Sequence, residues 1–238
     1  RADLIFTMLP DAPDVEAVYF GPEGILAAAR PGQLYIDMST SSPTLARRIA
    51  ERAEGLGAEA LDAPVSGGEA GAVAGRLAIM VGGSERALRR ALPFLQVLGQ
   101  TIVHVGGPGA GQVVKACNQL MVAAHLEAAA EAMALAQAAG VDPAVTRQAL
   151  LGGYAFSRVL EVHGERALRG DFAPGFRISL HDKDLRLALE LAAGLHLSLP
   201  LAELAKHTLS QAVAEGEGGR DHSWLIGRRL SLVEPRGV

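Results

Sequence analysis

Up to about Gly106 this chain alternates short apolar runs with amphipathic stretches, and beyond Gly111 the alternation stops. That change of rhythm constrains the fold more than any other feature. Short β-like runs separated by helical segments build a parallel sheet covered by helices, whereas unbroken helical spacing builds a helical domain. The expected strands are Leu4–Leu9, Leu34–Ser39, Ala58–Leu61, Leu77–Val81 and Ile102–Val105. The first, second and fourth read as continuous apolar runs, as strands buried on both faces do. Between the strands, helices are expected at Asp14–Phe20, at Pro43–Gly55 behind the cap Ser42, and at Glu85–Leu98 behind the cap Ser84. Past Gly111 the Ala/Leu-rich sequence predicts one long helix over Val113–Ala139, suited by length and alanine content to a buried position joining the two halves. Further helices follow at Pro143–Leu151, Ser157–Leu168, Asp182–Leu195, Leu201–Glu215 and His222–Leu232. The fold class is therefore an α/β Rossmann-type domain over 1–108 followed by an all-α domain over 109–238.

Composition narrows the function. The chain has 238 residues, 49% of them apolar, and 22 basic against 26 acidic side chains, a net charge of −4. No basic run is long enough to track phosphates, so nucleic acid is not an expected partner. No apolar run approaches the ~20 residues that cross a bilayer, so no membrane is expected either. The single cysteine, Cys117, cannot close an intrachain disulfide. A reducing, cytoplasmic setting and a thiol packed in the core are the corresponding expectations. Seven histidines, at 104, 125, 163, 181, 196, 207 and 222, show no metal-ligand spacing, which predicts surface or core roles and no metal.

Loops at the carboxyl ends of parallel strands are where open α/β sheets bind ligands. After the first strand comes Thr7-Met8-Leu9-Pro10, and after the second Asp37-Met38-Ser39-Thr40-Ser41-Ser42, which taken alone reads as a helix-capping cluster. In Asp62-Ala63-Pro64-Val65-Ser66-Gly67-Gly68, the serine and two glycines either form an ordinary glycine turn or aim several backbone N–H groups at a carboxylate. Gly109-Ala110-Gly111-Gln112-Val113-Val114-Lys115 places small residues where backbone can approach a ligand, with 115, 118, 119 and 122 on one helical face. A lysine beside Val114, Ala116 and Cys117 is either solvated at its tip or partly desolvated, and desolvation makes it a better proton donor near neutrality. Gly106 to Gly111 does not give G-x-G-x-x-G in register and reads as a hinge. Lys183 and Asp184 fall at an expected helix start, where the cation opposes the dipole and hints at an anionic partner.

Taken in order, TMLP at 7–10, DMST at 37–40, DAPVSGG at 62–68, GAGQVVKACNQ at 109–119 and KDL at 183–185 resemble the β-hydroxyacid dehydrogenase family, over essentially the whole chain. The resemblance implies NAD or NADP as cofactor and a small carboxylate-bearing aldehyde or hydroxy acid as substrate. It implies that Lys115 is the catalytic lysine, that Ser66, Gly67 and Gly68 grip the substrate carboxylate, and that Asn118 lies in the substrate-contacting segment. Leu9, Pro10, Asp14 and Thr40 match cofactor contacts, Lys183 matches the lysine that closes over the cofactor, and Phe176 stands beside it. Gln119 departs from the second asparagine of many relatives. The family's G-x-G-x-x-G strand, turn and helix has no counterpart here, so the Rossmann-type domain is expected to be N-terminally incomplete. The stretches 68–83, 157–166 and 174–178 are similar to the tartronate semialdehyde reductase branch, with 3-hydroxyisobutyrate dehydrogenase and glyoxylate or succinic semialdehyde reductase as alternatives. A non-catalytic helical assembly or ligand-binding module is the alternative of another class. Ala-rich helices in the second half predict a homodimer or homotetramer.

Overall fold

A computed structural model describes residues 2–233. Two compact units divide the chain: one runs to Asn118 and takes in Glu190–Leu197, and the other comprises Gln119–Leu189 and the chain from Ser198 on.

The first unit is built on a six-stranded sheet. Strands β1 (Leu4–Thr7), β2 (Leu34–Asp37) and β3 (Glu59–Asp62) are parallel, with Thr7 opposite Asp37 and Asp37 opposite Asp62. The short strand β4 (Val65–Ser66) and strand β5 (Leu77–Gly82) pair antiparallel, Val65 opposite Ile79 and Ser66 opposite Ala78. β5 also meets β3 antiparallel at Asp62 and Gly82, and β6 (Gly99–Gly106) runs parallel to β5. The sheet is thus mixed where the sequence rhythm predicts parallel strands throughout. Only residues 67–76 separate β4 from β5, too short a connection for a parallel crossover, so the chain turns back on itself.

Alternation along β2 sends side chains to both faces. Leu34 and Ile36 pack with Ala87, Ala91 and Leu95, while Tyr35 packs with Val15, Tyr19, Leu45, Ile49 and Ala53. The first group includes helix α4 (Glu85–Leu98); the second belongs to helices α1 (Ala12–Phe20) and α2 (Pro43–Gly55). Local caps place these helices. Ser42 accepts from the Leu45 amide and Ser84 from the Ala87 amide, and Asp11 with Asp14 forms a capping box at α1. Helix α3 (Gly68–Val73) follows β4 directly.

Helix α5 (Ala110–Ala138) carries residues of both units. Within the second unit it is followed by α6 (Pro143–Leu151), α7 (Arg158–Arg169), α8 (Ile178–Gly194, whose last five residues belong to the first unit), α9 (Pro200–Ala214) and α10 (Trp224–Ser231). Leu126, Met133, Leu160 and Ile226 form one core cluster of this unit; Ile178, Leu185, Leu209 and Leu225 form another. Two expectations are corrected. Cys117 is exposed, because it lies off the helix face shared by 115, 118 and 119. α8 starts at Ile178, four residues before the expected Asp182, so Lys183 and Asp184 lie in its second turn and not at its dipole end. No described helix is long and apolar enough to cross a membrane.

Candidate active site

In the first unit the carboxyl ends of β1 and β2 are tied together by buried polar side chains. Thr7 Oγ1 donates to Asp37 Oδ1 at 2.9 Å and lies 2.9 Å from the Tyr19 hydroxyl, and Ser39 Oγ donates to the same carboxylate oxygen at 2.6 Å. Ser39 Oγ in turn accepts from the Leu9 amide at 2.8 Å. Burial raises both the Asp37 carboxyl and the Tyr19 hydroxyl above their ordinary values. The TMLP and DMST segments therefore form one rigid wall, with Leu9, Pro10 and Thr40 upon it. Asp14 is exposed on α1 and its carboxylate accepts from the Asp11 amide at 3.2 Å, a capping role.

The start of α5 is anchored to this wall. The Gln112 amide group donates from Nε2 to the Ser39 carbonyl at 2.8 Å and accepts from the Ser41 amide at 3.0 Å. Asp62, at the end of β3, accepts from the Gly109 amide at 2.7 Å and the Gln112 amide at 3.0 Å, capping a helix from outside its own sequence. Burial pushes the Asp62 carboxyl up to about 6, against the opposing pull of those amides. The glycines here serve packing. A Cβ at Gly111 would lie 2.4 Å from the Met80 carbonyl oxygen, and one at Gly109 would lie 2.7 Å from that of Pro43. Gly109 and Gly111 are therefore closely packed and pinned by Asp62, whereas a Cβ at Gly107 would meet open space.

One turn beyond Gln112 sits Lys115, with only 5% of its surface exposed, and Asn118 follows a turn later, half-buried. The Ser66 turn lies along the same strand: Ser66 pairs with Ala78, two residues from the Met80 against which Gly111 packs. Gly67 and Gly68 have φ of +137° and +61°, so both need glycine, and the turn is exposed. Thus Leu9, Pro10, Thr40, Ser66, Gly67, Gly68, Lys115 and Asn118 share one unit, on segments joined by named contacts. Two buried polar atoms among them, Asp37 Oδ2 and Ser41 Oγ, have no protein hydrogen-bond partner. Unspent polar atoms beside two loops at parallel strand ends suit the ribose and nicotinamide of a dinucleotide.

Lys183 and Phe176 belong to the second unit. Lys183 Nζ is 2.8 Å from Asp184 Oδ1, and Gln119 Nε2 donates to Asp184 Oδ2 at 2.6 Å. Asp184 thus contacts both Lys183, its neighbour in sequence, and Gln119. The Phe176 amide donates to Asp221 Oδ2 at 2.9 Å, and its ring lies 5.6 Å from that of His181 and 5.5 Å from that of His222. Sequence reading missed this cluster entirely: His163, His181 and His222 meet in space although 18 and 41 residues separate them along the chain. His163, Asp221 and His222 bring ligand atoms within 4.8 Å of one another, the composition of a cation site. Arg166 Nη1 is already 2.9 Å from Asp221 Oδ2, supplying the positive charge an added cation would bring. Burial would raise the Asp221 carboxyl, but the His163 ring 3.6 Å away and hydrogen bonds from the Ser223 and Phe176 amides hold it well below the usual carboxylate range. Burial also pushes His222 well below its ordinary value, so its ring is neutral.

Residues 1–106 match the family model described as the NAD binding domain of 6-phosphogluconate dehydrogenase, and residues 109–228 match that described as NAD-binding of NADP-dependent 3-hydroxyisobutyrate dehydrogenase. The 2-hydroxy-3-oxopropionate reductase of Escherichia coli (strain K12) is 48% identical over 225 residues, spanning 94% of this chain and 77% of that protein. This chain belongs to the NAD-binding 3-hydroxyisobutyrate dehydrogenase-like family. A 3-hydroxyisobutyrate dehydrogenase of Pseudomonas aeruginosa is 39% identical over 91% of the chain and 76% of its own length. The solved Mycobacterium tuberculosis 3-hydroxyisobutyrate dehydrogenase with L-serine superposes with a TM-score of 0.86 at 38% identity, covering 96% of this chain and 79% of that one. The family consists of NAD(P)-dependent β-hydroxyacid dehydrogenases, so the chain is an oxidoreductase with a Rossmann-like first unit and a helical second one. The reading as a non-catalytic module gives way to that membership.

Proposed function

We propose that this protein reduces a small β-semialdehyde acid, tartronate semialdehyde to glycerate, and runs the reverse oxidation. The observation that carries the reading is a buried lysine, Lys115, on a helix whose start is fixed by Asp62 and Gln112 to the loops after β2 and β3. The nicotinamide of NAD(P)H would supply the hydride equivalent to the carbonyl carbon when bound, with Leu9, Pro10, Asp14 and Thr40 as its contacts in the first unit; Lys183 and Phe176 are the cofactor-contact candidates of the second unit. Lys115 stabilises the oxygen as negative charge grows there and donates the proton. The exposed backbone of Ser66, Gly67 and Gly68, with Asn118, orients the acid end. Replacing Lys115 with Ala should lower turnover by about 10²- to 10⁴-fold with NAD(P)H affinity nearly unchanged, and undiminished turnover would sink the assignment. The 48% identity to a 2-hydroxy-3-oxopropionate reductase supports that substrate, and relatives named 3-hydroxyisobutyrate dehydrogenase and L-serine dehydrogenase, 39% and 40% identical, support related hydroxy acids as the alternatives. Parallel kinetics on tartronate, methylmalonate and succinic semialdehydes and glyoxylate decide among them. We further propose a cytoplasmic homodimer or homotetramer, for which the exposed Leu201 and Leu204 of α9 provide apolar surface. A monomer at micromolar concentration in sedimentation would refute the assembly.

A further inference from the structure

We propose that Gln112 is a positioning residue: its side-chain amide fixes both backbone torsions of Thr40 and so holds that residue in register with the helix that carries Lys115. The inference rests on the roles proposed above for Thr40 toward the cofactor and for Lys115 toward the carbonyl oxygen.

Gln112 Nε2 donates to the Ser39 carbonyl at 2.8 Å, and Gln112 Oε1 accepts from the Ser41 amide at 3.0 Å. The Ser39 carbonyl belongs to the peptide group before Thr40, and the Ser41 amide to the peptide group after it. A trans peptide group is a rigid plane, so the two soft rotations between these planes are φ and ψ of Thr40. One amide that grips both planes leaves Thr40 little freedom to turn. Because the carbonyl can only accept and the amide can only donate, a primary amide answers both from a single plane. Gln112, Ser39 and Ser41 are all buried, which keeps bulk water from competing for these bonds.

The clamp is tied to the sheet at both ends. The Gln112 backbone amide donates to Asp62 Oδ2 at 3.0 Å, and the Ser39 hydroxyl and amide donate to Asp37 Oδ1 at 2.6 and 3.2 Å. Asp37 stands opposite Asp62 across β2 and β3, so the contacts close into a ring. Lys115 lies three residues beyond Gln112 on α5, about 4.5 Å along the axis and on the same side. Thr40 and Lys115 are thus referred to one side chain, the first through two hydrogen bonds and the second through less than a helical turn. The Ser66 turn, on β4, is no part of the ring. The clamp should therefore govern hydride transfer and leave the grip on the acid end alone.

Two variants of the full chain test this. Gln112→Met keeps the length of the side chain without a donor or a good acceptor; should it not fold, Gln112→Ala leaves room for water to meet Ser39 and Ser41 while cutting their tie to α5. In the cofactor-free chain the coupling between the Thr40 amide and α protons, which reports φ, should move toward a rotationally averaged value. NAD(P)H binding, followed by nicotinamide fluorescence, should weaken about 3- to 10-fold because Thr40 holds its binding conformation only part of the time. In single turnovers from the enzyme–NAD(P)H complex, the first-order rate of NAD(P)H oxidation should fall by about 10- to 100-fold, at an unchanged half-saturating semialdehyde concentration. A merely structural role would remove folded protein, lowering the amplitude and leaving the rate constant as it is. A Thr40 coupling or an NAD(P)H affinity equal to wild type overturns the clamp, and a wild-type rate constant beside a changed coupling overturns the positioning role. A wild type that turns over no semialdehyde strikes the proposed function instead, and the coupling and the affinity still decide whether Gln112 sets Thr40.

Discussion

Replacing Asp62 with Asn sets burial against helix capping in a way that pH can read. The carboxylate is 4% exposed and accepts from the Gly109 and Gln112 amides at the start of α5. Burial lifts its pKa from 3.8 to about 6. A folded-state pKa above the unfolded value means that the folded protein keeps a proton which the unfolded chain releases. This group's contribution to stability therefore grows as pH falls through 6 and is complete below 3.8. At ~1.36 kcal/mol per unit the whole span is worth about 3 kcal/mol, and the interval from about pH 7 to about pH 5 about 1.3 kcal/mol. Urea unfolding of the wild type and D62N at those two pH values measures it. Tyr19 and Tyr35 are buried in the first unit and report its transition, while Trp224 reports the second. The wild type should gain about 1.3 kcal/mol over D62N on acidification in the tyrosine-reported transition, and nothing in the Trp224-reported one. A flat difference, or a wild type that loses ground on acidification, would refute the reasoning. It would mean that the helix amides and dipole outweigh burial and hold the carboxyl down.

Two further substitutions probe the same helix start. Gly111→Ala would press a methyl group to 2.4 Å from the Met80 carbonyl oxygen and 2.7 Å from that of Asp62, both backbone atoms. It should destabilise the first unit by at least about 2 kcal/mol, seen as a lowered urea midpoint; an unchanged midpoint contradicts the packing account. Gln112→Ala leaves the Ser41 amide and the Ser39 carbonyl without their partner. A loss of about 2–4 kcal/mol with faster hydrogen exchange at the Ser41 amide is expected, and unchanged exchange there would contradict the link.

Several elements were legible because their signals are local. α2, α4 and α6 begin and end where the sequence predicts them, since Ser42, Ser84 and Asp142 cap their own helices within three residues. The start of α8 was not legible. The Ile178 amide donates to the Arg220 carbonyl and the Ile178 side chain is fully buried, so a partner 42 residues on helps to fix where the helix begins. β4 and α3 escaped notice because two strand residues followed by two glycines offer no period to read, and their existence depends on pairing with β5.

The amino-acid sequence by itself determined the order of sheet and helices and the helix caps, because periodicity, capping and turn chemistry act over a few neighbouring residues; the motif residues on which the catalytic proposal stands came from a resemblance to a family. Tertiary structure alone decided that Asp62 caps a helix beginning 48 residues later, that Gln112 fastens Lys115's helix to Ser39 and Ser41, and that three scattered histidines line up between Gln119 and Asp221. Each of these is a buried donor meeting an acceptor across 40 residues or more. No local pattern encodes such a meeting. It is settled by packing, which brings most buried polar groups to a partner once water is gone.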